Sequence, residues 1–120
     1  MSTQQAILQL KAFAEDLSGW SFERLSALEG SRGAHFREVE LEGGDTLQLE
    51  AECLQRFSEG ERGVLHIPAI ATLGHVQFSI ELFVEDSGKV RWDGNVYEFV
   101  NGVPQVAWSN SAAADSSNEK

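Results

Sequence analysis

The sequence predicts an α+β fold, with one N-terminal amphipathic helix packed on a curved, mostly antiparallel meander sheet of about six strands. Apolar residues first recur at helical spacing and then alternate with polar residues. Glycine-containing turns separate the alternating runs. We expect residues 1–108 to form a single globular domain. Residues 109–120 are small, polar and aperiodic, and we expect a disordered tail there.

The start of the chain predicts the helix. Ser2 or Thr3 can cap it, and one apolar stripe has helical spacing: Ile7, Leu10, Phe13, Ala14 and Leu17. We expect Gly19 to end the helix in a left-handed conformation, with Trp20 packing back on the last turn. Residues 20–29, with the sequence WSFERLSALE, are then a weak strand candidate.

A β-hairpin is predicted around the Gly-Gly-Asp sequence at residues 43–45. Apolar and polar residues alternate on both sides of this loop, which is typical of strands with one buried face. A three-residue loop at 43–45 places the apolar residues of both strands on the same face. In that register Glu38 lies opposite Glu50, and His35 lies opposite Cys53.

Residues 46–58 also match a helix. Asp45 is a suitable N-cap, Gly60 is a suitable stop, and four apolar residues lie at helical spacing: Leu47, Ala51, Leu54 and Phe57. The alternation favours a strand for residues 46–52, while the helix remains the alternative for the whole segment.

Further strands are predicted in the second half of the chain. The apolar run VLHIPAIATL contains Pro68, which we expect at an edge, a bulge or a strand end. The clearest strand is HVQFSIELFVE at residues 75–85. Turn sequences at Gly94-Asn95 and Asn101-Gly102 then predict three short antiparallel strands.

These C-terminal strands carry an aromatic face. The two turns pair Trp92 with Tyr97, Arg91 with Glu98, and Tyr97 with Val106. One face then holds the following residues, with Trp108 nearby: Val90, Trp92, Tyr97, Phe99 and Val106. We predict that the N-terminal helix covers this face as core, because an uncovered apolar patch of this size favours aggregation. A binding patch is the alternative, since one helix cannot cover the whole sheet.

No sequence signature of catalysis or metal binding is present. The chain lacks a glycine-rich phosphate loop, paired cysteines at metal spacing, HExxH and GxSxG. The predicted pairing of His35 with Cys53 allows a thiolate pair, or half a metal site completed by His66 or His75. A buried cysteine beside a satisfied histidine is the favoured interpretation. We therefore expect no catalytic residue, no metal and no cofactor.

The formal charge is −10, from 19 acidic and 9 basic residues. Such a charge disfavours direct binding to nucleic acid or to an anionic membrane and favours basic proteins as partners. The single cysteine excludes an intramolecular disulfide. The sequence has no secretory signal pattern and no apolar run near the ~20 residues of a membrane span, so we expect a cytoplasmic protein.

Five glutamates on one side of the predicted hairpin form the candidate partner-binding site: Glu38, Glu40, Glu42, Glu50 and Glu52. Two of them, Glu38 and Glu50, face each other in the predicted register and repel, which contact with a cation would relieve. The five are solvated and equivalent, unlike the carboxylate pair of a glycosidase, and they lie on a flat ladder rather than on a calcium-binding loop. A docking face for a basic protein and a merely solvated sheet face are the two remaining interpretations.

The favoured functional hypothesis is a small, acidic, non-enzymatic binding protein that caps a basic surface of a partner protein. Immunity proteins of secreted bacterial toxins and inhibitors of phage-defence complexes are analogous in size and charge, so the partner would be a toxin or a nucleic-acid-handling complex. One alternative is a secretion-type chaperone that binds a partner chain as a dimer. Another is a small-ligand module or minor enzyme with a pocket built from His35, His66 and Cys53. Monomer and homodimer are both compatible with the sequence.

Overall fold

The computed structural model describes residues 2–29 and 33–110. Within these residues it confirms the predicted α+β class, with an N-terminal helix packed on an open antiparallel sheet of eight strands rather than about six. The elements in chain order are α1 (Ser2–Leu17), α2 (Phe22–Ser26), β1 (His35–Glu40), β2 (Thr46–Ala51), β3 (Gln55–Glu59), β4 (Arg62–Leu73), β5 (Val76–Glu85), β6 (Val90–Arg91), β7 (Asn95–Val100) and β8 (Val103–Ser109).

The strand order across the sheet is β1-β2-β4-β5-β7-β8. Two short strands lie off this path, because β3 pairs with β4 and β6 pairs with β5. The long strands β4 and β5 pair from Val64 opposite Glu85 to Leu73 opposite Val76 and form the centre of the sheet. The predicted strand at residues 75–85 is therefore confirmed as β5, and the strand favoured for residues 46–52 is confirmed as β2, which ends at Ala51.

Helix α1 covers one face of the sheet, and the core lies between them. All five residues of its predicted apolar stripe are buried. They pack against inward residues of the sheet that include Leu49, Ile67, Phe78, Ile80 and Val96. Full burial of each large apolar side chain is worth about 1.5–3 kcal/mol, so packing of this stripe on the sheet is a large stabilising contribution.

Residues 20–29 contain a short helix, and the prediction of a strand there is wrong. Ser21 caps α2 by accepting a hydrogen bond from Arg24 N at 3.1 Å. Leu25 and Leu28 are buried at a spacing of three residues, which is a helical period and not a strand period. Gly19 does not adopt the left-handed conformation, since α1 ends in a tight turn closed by bonds such as Trp20 N to Leu17 O at 3.0 Å.

The β1–β2 hairpin has a three-residue loop, as predicted, but the loop is at residues 42–44. Leu41 N donates to Asp45 O at 2.7 Å and closes it. Gly43 and Gly44 both have positive φ, +94° and +96°, which glycine adopts without a steric penalty. Both glycines therefore belong inside the loop and Asp45 belongs to its closing pair.

The shifted loop changes the hairpin register by two residues. Each side chain stays on its predicted face, because strand alternation has a period of two. The opposing residues change: Glu38 lies opposite Gln48, and His35 lies opposite Ala51. The predicted repulsion between Glu38 and Glu50 is therefore wrong, and so is the predicted pairing of His35 with Cys53.

Pro68 lies inside the central strand β4, where a proline was not expected. On one side of β4, strand β2 ends at Ala51 and β3 begins at Gln55, and Pro68 faces the gap between them. His66 O accepts a hydrogen bond from Leu54 N at 2.9 Å in this gap. Strand alternation turns the Pro68 nitrogen to the same side, so its missing N–H falls where the ladder is already interrupted.

The C-terminal turns behave differently from each other. Asn101 and Gly102 form the predicted two-residue hairpin turn, with φ values of 53° and 79°, and Tyr97 lies opposite Val106 as predicted. The turn at Gly94 does not close a hairpin. Strands β6 and β7 both pair with β5 and lie end to end along it, because the ten-residue β5 offers more edge than the two-residue β6 can fill.

Two predicted C-terminal pairs are consequently wrong. Arg91 lies opposite Phe83 and not opposite Glu98, and Trp92 lies in the connection between β6 and β7 and not opposite Tyr97.

The first two residues of the predicted tail, Ser109 and Asn110, belong to the folded part of the chain. Ser109 is the last residue of β8, and Asn110 N donates to Gly94 O at 2.7 Å. Residues 111–120 lie outside the described part of the chain. Among the residues that the structure describes, no helix is both long enough and apolar enough to cross a membrane.

Candidate functional site

One face of the sheet carries no helix within the described residues, because the buried residues of α1 and α2 share the core on the other side. We name it the open face. The strand pairings place a continuous row of side chains across it: Phe36, Glu50, Ile70, Ser79, Tyr97 and Val106. Cross-strand neighbours point to the same side of a sheet, so this row joins the β1 edge to the β8 edge.

The β1–β2 end of the open face is acidic. Glu38, Glu40 and Glu50 lie on it, and we name these three residues the acidic strip. Phe36, which lies opposite Glu50, is 61% exposed within this region. Arg37 points to the other face and forms an ion pair with Asp16 of α1 at 3.2 Å, so it does not neutralise the strip.

Three of the five predicted partner-binding glutamates are thus brought together. Glu42 lies in the hairpin loop and accepts a hydrogen bond from Gln5 Nε2 of α1 at 3.1 Å. Glu52 follows the end of β2, in the gap before β3, and is half-buried. These two residues are separated from the acidic strip because the strands end before them.

The β4–β8 end of the open face contains a cleft of about 560 Å³, which we name the aromatic cleft. Its lining residues are His66, Ser79, Glu81, Phe83, Asp93, Tyr97, Phe99 and Pro104. The size is within the range of about 300–1,000 Å³ that is usual for ligand sites. None of the five predicted partner-binding glutamates lines this cleft.

The prediction that α1 covers the C-terminal aromatic face is wrong for most of its residues. Val96 is the fully buried residue of β7, and strand alternation therefore turns Tyr97 and Phe99 to the open face. Trp92, Phe99 and Val106 are 37%, 38% and 56% exposed. Val90 and Trp108 do pack against the core, as predicted.

Aromatic stacking and one histidine–glutamate hydrogen bond form the floor of the cleft. The His66 ring stacks on the Phe83 ring with centroids 4.6 Å apart, and the Phe57 ring meets Phe83 edge-on at 6.3 Å. His66 Nε2 lies 2.5 Å from Glu81 Oε1. The Glu81 carboxylate is thereby held in one orientation at the cleft surface.

A second carboxylate is fixed at the other wall of the cleft. The Tyr97 hydroxyl donates to Asp93 Oδ2, and the Asn95 backbone N–H donates to Asp93 Oδ1 at 2.9 Å. Asn95 Nδ2 in turn donates to Tyr97 Oη at 3.2 Å. The bond to Asp93 raises the pKa of Tyr97 above its ordinary value, so the phenol stays neutral and keeps donating.

Ser79 is the most unusual residue of the cleft. It is only 1% exposed, and its hydroxyl has no hydrogen-bond partner in the part of the chain that the structure describes. Leaving a buried hydroxyl unpaired costs about 1–3 kcal/mol, and such groups are rare in native proteins. A polar group that enters the cleft from outside is a suitable partner for this oxygen.

The cleft contains a serine, a histidine and a glutamate, but they do not form a catalytic triad. A triad needs the imidazole to accept the serine proton, whereas His66 Nε2 is bonded to Glu81 and Ser79 Oγ has no bond to it among the described residues. The serine is therefore not activated as a nucleophile in this geometry. The arrangement is suited to binding a polar or cationic group beside aromatic rings.

The other candidate pocket residues lie elsewhere. His35 packs on the covered face against Phe13 and Trp20, with ring centroids 5.6 and 4.8 Å away. Burial lowers the pKa of His35, and burial raises the pKa of the Cys53 thiol. Of the three pocket residues considered from the sequence, only His66 lines the cleft. No group of three metal-ligating side chains is assembled among residues 2–29 and 33–110.

Comparison of the chain with protein-family models, with curated proteins and with solved structures finds no match. The functional argument therefore depends on the open face itself. One sequence signal for the cleft exists: Ser79 and Glu81 occupy the polar positions of the clearest strand, opposite in direction to Phe78 and Ile80. What the sequence does not show is which strands align beside them.

Proposed function

We propose that this chain is a non-enzymatic binding protein that docks the open face of its sheet on a basic surface of a partner protein, as an immunity protein or inhibitor does. The supporting observation is that the acidic strip and the aromatic cleft lie on one surface, joined by a row of side chains. Protein interfaces combine anchoring aromatic residues with a polar rim in this way.

Electrostatics support a basic partner. The formal charge of the chain is −10, and the three glutamates of the acidic strip have no arginine or lysine ion pair among the described residues. Such a surface accelerates encounter with a cationic protein and disfavours anionic partners. A toxin or a nucleic-acid-handling complex presents a suitable basic surface, because it binds phosphate backbones.

Charge reversal tests the proposal. The triple variant E38K/E40K/E50K reverses the acidic strip, and E15K/E23K/E61K makes the same charge change at exposed positions outside it. Tagged wild-type chain is used to capture partners from its host, with elution by a salt gradient, and the captured basic protein is purified. Its dissociation constant is then measured against the wild type and both variants.

We expect the strip variant to weaken binding by about 100-fold or more, since loss of a few interfacial charge contacts costs several kcal/mol. The control variant should retain binding within about tenfold. Equal weakening by both variants would contradict the proposal, because net charge and not the open face would then determine binding.

A further inference from the structure

We propose that the aromatic cleft receives an arginine side chain of the basic partner. This inference rests on the proposed function and adds the chemistry of the group at the centre of the interface. It follows from three properties of the cleft as the described residues form it: two fixed carboxylates that pair with no lysine or arginine, aromatic rings around them, and a buried hydroxyl without a hydrogen bond.

The carboxylates supply the charge. Glu81 and Asp93 both line the cleft, and among the described residues neither forms an ion pair with a lysine or an arginine. Their hydrogen bonds to His66, Tyr97 and Asn95 hold them in place without removing their acceptor capacity, because a carboxylate has about four lone-pair sites. A bound cation would therefore meet pre-positioned acceptors.

The aromatic rings favour a flat cation. Phe83, Tyr97 and Phe99 line the cleft beside the two carboxylates. A guanidinium group stacks on aromatic faces while its N–H groups donate in the plane, whereas an ammonium group is a strongly hydrated point charge. The combination of ring faces with acceptors at several positions fits arginine better than lysine.

Ser79 supplies the observation that points independently to a ligand. Ser79 lines the cleft, and its buried hydroxyl lacks a hydrogen-bond partner in the described chain. A guanidinium has five N–H donors in a rigid fork, so it can donate to Ser79 Oγ while it also donates to a carboxylate. Binding would then satisfy an oxygen that folding leaves unsatisfied.

The probe is the acetylated and amidated peptide Gly-Gly-Arg-Gly-Gly, titrated into the purified full-length chain at low salt. The matched peptides carry lysine or the neutral arginine isostere citrulline at the central position. Two-dimensional amide NMR spectra follow each titration. We expect saturable shifts at the amides around the cleft, such as Ser79, Glu81 and Tyr97, and binding about tenfold weaker with citrulline.

Variants locate the site. E81Q removes one charge at constant shape, and S79A removes the buried acceptor; each should weaken binding of the arginine peptide by about fivefold or more. The control E15Q/E23Q changes two exposed helix residues outside the open face and should leave binding unchanged. If the NMR spectrum of E81Q loses its dispersion, that variant is unfolded. The inference is then tested by the binding of the arginine peptide to S79A and by the comparison of the arginine and citrulline peptides on the wild type.

Three outcomes would overturn the inference. They are an absence of saturable shifts, equal binding of the arginine and citrulline peptides, and tighter binding of tetramethylammonium than of the arginine peptide at the same amides. Because the titration uses the chain alone, it can fail while partner capture still depends on the acidic strip. Conversely, peptide binding can persist when reversal of that strip has no effect on capture, so the two proposals fail separately.

Discussion

The two faces of the sheet each stack a histidine on a phenylalanine, with opposite results. On the covered face His35 lies parallel to Phe13 at 5.6 Å, and its Nε2 has no hydrogen-bond partner among the described residues. On the open face His66 lies parallel to Phe83 at 4.6 Å, and its Nε2 is bonded to Glu81. The same stacking thus fills the core in one place and positions a carboxylate in the other.

This difference shows what distinguishes a site from a core in this fold. On the covered face burial lowers the pKa of the His35 imidazole and so favours its neutral form. On the open face Glu81 and Asp93 are held by hydrogen bonds, and among the described residues neither forms an ion pair with a lysine or an arginine. Fixed and uncompensated polar groups are what a binding surface needs, because a ligand then finds its acceptors already oriented.

The largest expected effect compares two phenylalanines, one on each face. Phe78 is 1% exposed and Phe99 is 38% exposed. F78A should reduce the free energy of unfolding by about 3–5 kcal/mol, as truncation of a buried aromatic does. F99A should reduce it by less than about 1.5 kcal/mol. Urea denaturation followed by fluorescence measures both, and equal losses would show that the open face is part of the core.

The sequence predicts the elements that one long pattern specifies. Helix α1 and strand β5 each carry five apolar residues at a single period, so a local pattern was sufficient to predict them. Helix α2 was missed because a five-residue helix depends on its cap at Ser21 and on packing of Leu25. Short elements of this kind are determined by tertiary contacts.

The candidate site was harder to predict, for two physical reasons. A hairpin shift of two residues leaves every side chain on its face, so the hydrophobic pattern cannot distinguish Gln48 from Glu50 as the neighbour of Glu38. The cleft depends on alignment of β6 and β7 along the same edge of β5, which is a non-local pairing. Ser79 lies opposite Tyr97 on the neighbouring strand, and its hydroxyl lacks a hydrogen-bond partner among the described residues. No local sequence pattern indicates either feature.

A second prediction uses Ser79 to separate stability from binding. S79A should raise the free energy of unfolding by about 1 kcal/mol, because it removes a buried hydroxyl that lacks a hydrogen bond. S58A, at an exposed position of β3, should change it by less than about 0.5 kcal/mol. Thermal melts of the three proteins give the comparison. A destabilised S79A would mean that the hydroxyl already has a partner in the folded chain.

A third prediction concerns pH and the covered face. The folded-state pKa of His35 lies below the ordinary 6.5, chiefly through burial and then through Arg37 and Arg24. The unfolded chain therefore binds the proton more readily, and stability should fall as pH drops below about 6.5. In H35F this part of the pH dependence should disappear. Urea midpoints at about pH 7.5 and about pH 5.5 test it, and an equal loss in both proteins would assign the dependence to other groups.

The smallest expected effect is spectroscopic and concerns the wall of the cleft. Tyr97 is the single tyrosine of the chain, so tyrosinate absorbance reports on this residue alone. Its hydrogen bond to Asp93 raises its pKa above 10.0, and D93N should move the midpoint back toward that value. E61Q, an exposed carboxylate in the β3–β4 turn, is the matched control and should leave the midpoint unchanged.

Circular dichroism at each pH verifies that the chain is still folded during this titration. A midpoint in D93N equal to that of the wild type would show that Asp93 does not hold the Tyr97 hydroxyl. The second carboxylate of the cleft would then be free to move, and recognition of an arginine side chain would depend on Glu81 and Ser79 alone. A lowered midpoint would instead establish that this wall of the open face is oriented before any partner arrives.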